Sequence, residues 1–230
     1  MYAERPSRLI PGAVLWTVRD ADPGGRVLPD GCMDLLLVDG RLLVAGPDTV
    51  AHGSAPVRPG ARVSGLRLPP GAAPVLLGVP AHALRDDRPE LAAVWGDAAA
   101  RCWATTVDSG IDRLERLTAD RLAARGGRSR EVAAAAAFLG AGAGAADVAD
   151  RLGVTARTLH RRSLDAFGYG PRTLGRVLRL QRAVGLMGGG LPLAEVAHRA
   201  GYADQPHLAR ETRSLAGATP SELAAEHASA

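Results

Sequence analysis

The sequence contains no lysine, so all 28 of its basic residues are arginines. It also has no run of 18 or more apolar residues, which excludes a helix of the usual membrane-spanning kind. The first eight residues include Glu4, Arg5 and Arg8 and lack the apolar stretch of a secretory signal. These absences predict a cytoplasmic protein with no membrane partner.

Residues that perform catalysis or hold metal ions are few and scattered. Cys32 and Cys102 are isolated, so the sequence has neither a disulfide framework nor the paired spacing of a zinc site. His52 and His82 are the only histidines of the N-terminal half, whereas a metal-dependent barrel enzyme needs several histidines and a carboxylate on adjacent strands. No Ser/His/Asp set or glycine-rich phosphate loop is recognisable. We therefore predict a protein that is not an enzyme and that holds no metal ion or other cofactor.

The net charge is concentrated in the C-terminal part of the chain. Residues 1–127 contain equal numbers of acidic and basic residues, so the formal net charge of +4 arises from residues 128–230. Between Thr155 and Arg182 there is one acidic residue, Asp165, and there are seven arginines: Arg157, Arg161, Arg162, Arg172, Arg176, Arg179 and Arg182. Such a concentrated positive field is typical of a protein that binds a polyanion. The alternative is a solvated helix face, and charge alone does not decide between the two.

The first hundred residues are predicted to be rich in β-strands. Two apolar segments, residues 33–38 and 41–46, flank Asp39 and Gly40, a pair that suits a two-residue hairpin turn because glycine accepts a positive φ. Residues 13–18 and 62–68 are further strand candidates. Clusters of proline and glycine separate these segments, as they do in small barrels and sandwiches. We expect a β-rich sensing or dimerisation domain over residues 1–105.

A helical pattern begins at residue 108, and residues 106–127 are predicted to form a helical linker. Asp108 or Ser109 is expected to cap its helix, and Gly126 and Gly127 to end it. Apolar residues recur at three- and four-residue steps: Ile111, Leu114, Leu117 and Leu122. A single apolar stripe on a charged helix needs a partner surface. That surface is either the chain's own β-rich domain, which we favour, or a second subunit of a homodimer.

The remaining residues, 128–230, are predicted to be helical. The helices are expected over residues 128–139, 145–152, 156–167, 171–187, 193–199, 204–215 and 220–226. Residues 146–161 and 193–210 resemble each other, since each has a short helix, a glycine, a capping residue, and a second helix with His and Arg. This internal repeat is typical of helix-turn-helix units. The predicted fold class is α+β, with a barrel-like β-rich domain followed by an all-α domain of two helix-turn-helix units joined by a linker helix.

Both repeats have the residues that a helix-turn-helix unit needs. Each has a Val-Ala pair where two helices cross closely, a glycine at the turn and a capping residue before the second helix: Val148, Ala149, Gly153 and Thr155, then Val196, Ala197, Gly201 and Asp204. Leu159 and Leu208 are expected to point inward. A linker helix of about 25 Å (1.5 Å per residue) would hold the two second helices about one DNA turn, roughly 34 Å, apart.

The second helix of such a unit enters the major groove of DNA, where its N-terminal residues face the base edges. The predicted DNA-contacting residues are Ala156, Arg157, His160 and Arg161 in the first unit, and Gln205, Pro206, His207 and Arg210 in the second. Arginine binds guanine in a bidentate manner, and glutamine binds adenine in the same way. For any one arginine the alternative is a solvated surface residue, and for His160 and His207 it is a surface or capping role.

These residues also show a family resemblance. Residues 128–226 resemble the DNA-binding domain of bacterial AraC/XylS-type transcription regulators, through residues 152–161, 167–171 and 179–183, and more specifically through residues 200–210 and 217–222. The resemblance implies a sequence-specific regulator that binds double-stranded DNA and contacts RNA polymerase. Leu208 and Thr212 depart from the family, which often has Phe there, so we expect a smaller core in the second unit. Residues 188–190, all glycine, are expected to loosen the connection between the units.

The N-terminal part resembles the cupin-like domain that precedes this module in one AraC-like subgroup, through residues 28–36, 44–47, 66–71 and 78–84. Asp30, Cys32 and Asp34 either line a barrel mouth or, as we favour, serve turns and strand ends. The domain is expected to respond to a small-molecule effector or to a partner. The alternatives are a ligand-independent regulator whose N-terminal domain only contacts proteins such as RNA polymerase, and a cupin-type enzyme that the helical part directs to DNA.

Overall fold

The computed structural model describes residues 2–19, 26–53, 62–107 and 110–228. Its strands are β1 (Tyr2–Pro6), β2 (Val14–Arg19), β3 (Arg26–Val27), β4 (Met33–Val38), β5 (Arg41–Ala45), β6 (His52–Gly53) and β7 (Arg62–Leu68). Five of them form an antiparallel sheet in the order β1-β2-β7-β4-β5, and β3 pairs with β6 in a second, two-stranded sheet. The predicted antiparallel, β-rich N-terminal part is confirmed.

The predicted hairpin is formed by β4 and β5. Asp39 and Gly40 both have positive φ, 48° and 73°, which is the requirement of a type I′ turn. The strand predictions at residues 13–18 and 62–68 are confirmed as β2 and β7. The edge strand β1 was not predicted, because its five residues show no apolar alternation. The proline and glycine clusters at residues 23–25 and 56–60 lie outside the described residues.

Helices begin earlier in the chain than predicted. A 3-10 helix (Ala81–Leu84) and three α-helices follow β7: α1 (Ala73–Leu77), α2 (Leu91–Trp95) and α3 (Asp97–Val107). The strands therefore end at Leu68, and the prediction of a β-rich segment up to residue 105 is corrected. The helices α1 and α2 have only five residues each, and periodicity does not distinguish such a short apolar helix from a buried strand. The predicted caps Asp108 and Ser109 lie outside the described residues.

The amphipathic linker helix, α4 (Ile111–Ala124), packs on the chain's own sheet. Leu114 and Leu122 belong to one buried core with Leu15, Leu35 and Leu66 from the strands. Burial of each leucine side chain contributes about 1.5–3 kcal/mol. The first alternative, packing within the chain, therefore accounts for the apolar stripe.

The C-terminal part contains seven further described helices: α5 (Arg130–Gly140), α6 (Ala145–Arg151), α7 (Ala156–Phe167), α8 (Pro171–Gly188), α9 (Leu193–Ala200), α10 (Gln205–Ala216) and α11 (Pro220–Ala228). Their bounds agree with the predicted ones to within about two residues, the usual uncertainty of helix ends. Leu174 and Val177 of α8 lie in the core of the first unit, and Leu180 and Val184 lie in the core of the second. Among the described residues, none of the helices combines the length and the hydropathy that a membrane span requires.

Candidate nucleic-acid interface

The two units present α7 and α10 in the same way. Each helix has 12 residues, and each begins after a side chain that caps it. The Thr155 hydroxyl and the Asp204 carboxylate accept hydrogen bonds from backbone N–H groups three residues further on, at 3.1 and 2.6 Å. Each helix ends at a left-handed glycine, Gly168 or Gly217. The predicted caps are confirmed. Because each helix begins directly after its cap, α7 and α10 can be compared position by position.

The shorter helices α6 and α9 support α7 and α10 as predicted. Their Val-Ala pairs are buried: Val148 and Ala149 in the first unit, Val196 and Ala197 in the second. At the turns Gly153 and Gly201 have φ of 64° and 86°, a conformation that costs a residue with a β-carbon about 1 kcal/mol or more. Both units therefore have the buried Val-Ala pair and the turn glycine that the sequence predicts.

Equivalent residues of α7 and α10 point inward. Leu159 and Leu208 are buried, and so are Ser163 and Thr212 four residues later. The Thr212 hydroxyl donates to the Leu208 carbonyl at 2.7 Å, which satisfies a polar group at a position where the family often has Phe. The Ser163 hydroxyl has no hydrogen-bond partner among the described residues. The buried side of each helix is therefore formed by residues at equivalent positions.

The opposite side of each helix is exposed and basic. At about 100° per residue, Arg157 and Arg161 lie opposite the buried side of α7, and both are exposed. On α10 the corresponding side has Pro206, Arg210 and Arg213, which are also exposed. Arg161 and Arg210 occupy the same position in the two helices. Arg213 was missed in the sequence analysis, although its spacing of three residues from Arg210 places it on the same face.

The other predicted contact residues differ in their surroundings. Ala156 and Gln205 are exposed at the first position of each helix. His160 is exposed too, and its ring lies against the backbone of Gly170. His207 is half-buried: its ring packs edge-on against Tyr202, with 5.3 Å between centroids, and its Nδ1 accepts the backbone N–H of Ala203 at 3.3 Å. These contacts fit the capping role that the sequence left open for His207, and its DNA contact stays a prediction.

The seven arginines between Thr155 and Arg182 divide into two groups. Four make contacts within the helical domain: Arg162 pairs with Glu131, Arg176 with Glu211, Arg179 lies over the Tyr202 ring, and Arg182 donates to the Ala200 carbonyl. The other three, Arg157, Arg161 and Arg172, are exposed and form no ion pair with any described residue. Some of the arginines predicted to bind a polyanion therefore stabilise the fold instead. The arginines without an ion pair include the two on the outer side of α7.

The N-terminal part contacts the C-terminal end of α7. Arg85 donates to the Gly168 carbonyl at 3.4 Å, and the ring of Pro47 lies directly against Gly168. The His82 Nδ1 is 3.5 Å from an Asp165 carboxylate oxygen. Because free carbonyl groups at a helix end need partners, the Arg85 guanidinium serves as a cap that comes from the other part of the chain.

The C-terminal end of α10 is contacted in a similar way. The backbone N–H of Ala51 donates to the Leu215 carbonyl, and the Arg26 guanidinium donates to the Ala216 carbonyl, both at 2.7 Å. Arg26 also pairs with Glu226 at 3.3 Å. The N-terminal part therefore contacts the ends of both α7 and α10.

The four segments that resemble the AraC-like subgroup all contact the helical domain. In the first, the Pro29 carbonyl accepts from Gln181 at 2.8 Å, and in the third, the Pro70 carbonyl accepts from Arg128 at 3.0 Å. The second and fourth contain Pro47 and His82, described above. Asp30 serves a turn, as favoured, since its carboxylate accepts the N–H of Cys32 at 2.8 Å. No group of three metal-ligating side chains is found in the described parts of the chain.

These features define a helix-turn-helix protein with two units. A helix-turn-helix family model matches residues 148–226, and a family known only as a domain of unknown function (DUF6597) matches residues 13–90. The match over residues 148–226 confirms the resemblance to a helix-turn-helix domain of the AraC type, and the cupin-like resemblance of the N-terminal part stays a prediction. The comparison with curated proteins finds no match.

One solved structure shows the same architecture over most of the chain, and a second is similar to part of it. An apo form of ToxT from Vibrio cholerae is similar over 92% of this chain and 96% of its own, with 10% identity and a TM-score of 0.51. An AraC-type regulator from Chromobacterium violaceum is 25% identical over 43% of this chain and 92% of its own, with a TM-score of 0.39. The ToxT match confirms the predicted α+β class. The helix-turn-helix domain family supports a DNA-binding transcription regulator.

Proposed function

We propose that this protein binds double-stranded DNA at specific sequences and regulates transcription there. The observation that supports this function is the pair of capped, equivalent helices, α7 and α10, whose outer sides are exposed and basic. Arg161 and Arg210 act as equivalent base or phosphate contacts in the two units. Arg157 corresponds to Pro206, so the units differ in what they recognise, and one subunit binds an asymmetric site.

Selection of bound fragments from genomic DNA tests this proposal. The purified protein is expected to enrich one asymmetric motif, because base contacts in two unlike major-groove segments discriminate against other sequences. On the selected duplex, about six phosphate contacts predict a slope near −5 for log affinity against log salt concentration. Enrichment of no motif, or a flat salt response, would contradict the assignment.

The N-terminal domain controls this binding by setting how α7 and α10 are oriented. It contacts the C-terminal ends of both helices, through Arg85 at Gly168 and through Arg26 and Ala51 at the last turn of α10. Holding both helices in one arrangement lowers the entropy lost on binding. A change in the N-terminal domain, caused by an effector or a partner, therefore alters DNA affinity without touching the DNA-contacting residues.

The variant Arg26→Ala tests this control. It removes the hydrogen bond to Ala216 and the ion pair with Glu226, contacts of roughly 0.5–1.5 kcal/mol. We expect affinity for the selected duplex to fall by about two- to tenfold, measured by fluorescence anisotropy. Arg41→Ala is the matched control, because Arg41 pairs with Glu90 inside the N-terminal part. Equal affinities of the two variants, or tighter binding by Arg26→Ala, would refute a positioning role.

The source of the control signal is a separate question. A small-molecule effector, contact with RNA polymerase and homodimerisation stay predictions. A ligand that binds the folded protein raises its melting temperature, so a screen of metabolites distinguishes an effector-controlled regulator from one whose N-terminal domain only contacts proteins.

A further inference from the structure

The five-stranded sheet has two faces of different character. One packs on the helices through Leu15, Leu35 and Leu66. The register places Glu4, Trp16, Gly65 and Leu36 side by side across β1, β2, β7 and β4 on the other face, with Arg67 and Asp34 paired in the adjacent row. We call this the second face. Its middle is aromatic and apolar, and one end is charged.

The aromatic part is built around a glycine. A β-carbon on Gly65 would lie 2.3–2.6 Å from three atoms of the Trp16 indole, so only glycine allows the ring to lie flat across the sheet. The Tyr2 ring stacks on Trp16 at 6.4 Å between centroids with an angle of 27°. Tyr2 is 52% exposed and Trp16 is half-buried. The pair offers a flat aromatic surface to a molecule from solvent.

The charged end contains more acidic than basic groups. The Trp16 indole N–H donates to Asp34 at 2.8 Å, and the Arg67 Nε lies 3.2 Å from Asp30 and 3.7 Å from Asp34. Two carboxylates, those of Asp30 and Asp34, therefore share one guanidinium. The Asp30 and Asp34 side chains remain 28% and 14% exposed. Burial raises the pKa of Asp34 to about 6 despite the nearby Arg67, so its ionised form lacks full compensation.

We propose that the second face binds a small molecule with an aromatic or apolar body and a protonated amine. The body lies on Tyr2 and Trp16, and the ammonium group binds at Asp34 and Asp30. Aromatic and apolar groups pack favourably on aromatic rings, and ammonium–carboxylate hydrogen bonds are stronger than neutral ones. The proposal rests on control by the N-terminal domain and specifies the chemical class of its effector.

The turn beside Asp30 shows how the presence of a ligand would reach the DNA-binding units. The Tyr169 hydroxyl is buried and has no hydrogen-bond partner in the described ranges. It lies 3.7 Å from where a β-carbon of Gly31 would be, and Leu174 of α8 lies 3.0 Å from that point. Gly31 joins Asp30 to Cys32. A ligand at Asp30 therefore adjoins the turn that packs on the helix shared by both units.

Titration of the full-length protein with three related probes tests this proposal. Phenethylamine, 2-phenylethanol and 3-phenylpropionate have similar bodies but positive, neutral and negative charge. The readout is the indole N–H resonance of Trp16 in ¹H–¹⁵N spectra, identified among the three tryptophans with Trp16→Phe. We expect a saturable shift with phenethylamine at concentrations up to about 10 mM, and at least roughly tenfold weaker binding of the alcohol and the acid.

Two variants complete the test. Asp34→Asn keeps an acceptor for the Trp16 indole but removes the charge, and it is expected to weaken phenethylamine binding at least about tenfold. Asp120→Asn, an exposed residue of α4 on the other side of the sheet, should leave binding unchanged. The proposal is overturned if no probe gives saturation, if the three bind alike, if the acid binds most tightly, or if Asp34→Asn binds as the wild type does.

The phenethylamine titration and the DNA-binding assays can fail independently of each other. A protein that binds its selected duplex while phenethylamine leaves Trp16 unaffected refutes the amine site and keeps the regulator. A protein that binds phenethylamine through Asp34 but enriches no DNA sequence keeps the site and refutes the proposed function.

Discussion

Replacing both Arg157 and Arg210 by alanine is expected to remove most of the preference for the cognate duplex. Each loss of a base-contacting arginine costs about 1–3 kcal/mol on the cognate site. The two residues lie on different helices and share no partner among the contacts described, so their costs should add to about 2–6 kcal/mol. That corresponds to a loss of roughly 30-fold to 10⁴-fold in affinity, measured by competition between cognate and random duplexes.

Arg116→Ala is the control for this double variant. Arg116 is an exposed residue of α4, so its replacement removes positive charge outside α7 and α10 and should have little effect on sequence preference. If the double variant loses affinity equally for cognate and random duplexes, its arginines contact phosphates only. If it keeps full preference, the helices do not recognise DNA through these residues.

Gly46→Ala is expected to have the largest effect on stability. A β-carbon on this buried residue would lie 1.6 Å from the carbonyl oxygen of Leu84, because β5 and the segment after the 3-10 helix are hydrogen-bonded through Gly46 and Asp87 at 2.9 Å. One of the two backbones must move. We expect a loss of about 3 kcal/mol or more and a melting temperature lower by roughly 6–12 °C.

Replacing a glycine of α8 by alanine should have the opposite effect on stability. A β-carbon on Gly185 would meet no neighbouring atom, and alanine favours a helix over glycine by about 1 kcal/mol. Gly185→Ala should therefore raise the melting temperature by a few degrees, roughly 2–4 °C. A Gly46→Ala protein as stable as the wild type would show that β5 does not approach residue 84 closely.

The helical domain was predicted closely from sequence because its signals are local. Thr155 and Asp204 cap the helices that follow them, and Gly153 and Gly201 mark the turns, so the helix bounds follow from neighbouring residues. Local signals could not show that Arg162 and Arg176 form ion pairs whereas Arg157 does not. Their partners, Glu131 and Glu211, are distant in sequence. The difference between a structural arginine and a free one arises only from tertiary packing.

The N-terminal part was harder to predict for the same reason. Two of its helices, α1 and α2, have only five residues each, too few to show a period. Segments such as residues 28–36 could be recognised as distinctive, but their contacts with α8 could not be inferred. Gly31 is the clearest example: its place against Leu174 depends on how two distant parts of the chain pack together.

The helix α8 has a consequence for how these units can be separated. Its first half supplies Leu174 and Val177 to one core, and its second half supplies Leu180 and Val184 to the other. A fragment cut at the glycines after α8 would leave residues 191–228 without those buried neighbours, exposing Val196 and Leu208 to water. Neither unit is then expected to fold alone. A domain exchange between proteins must therefore transfer both units together with α8.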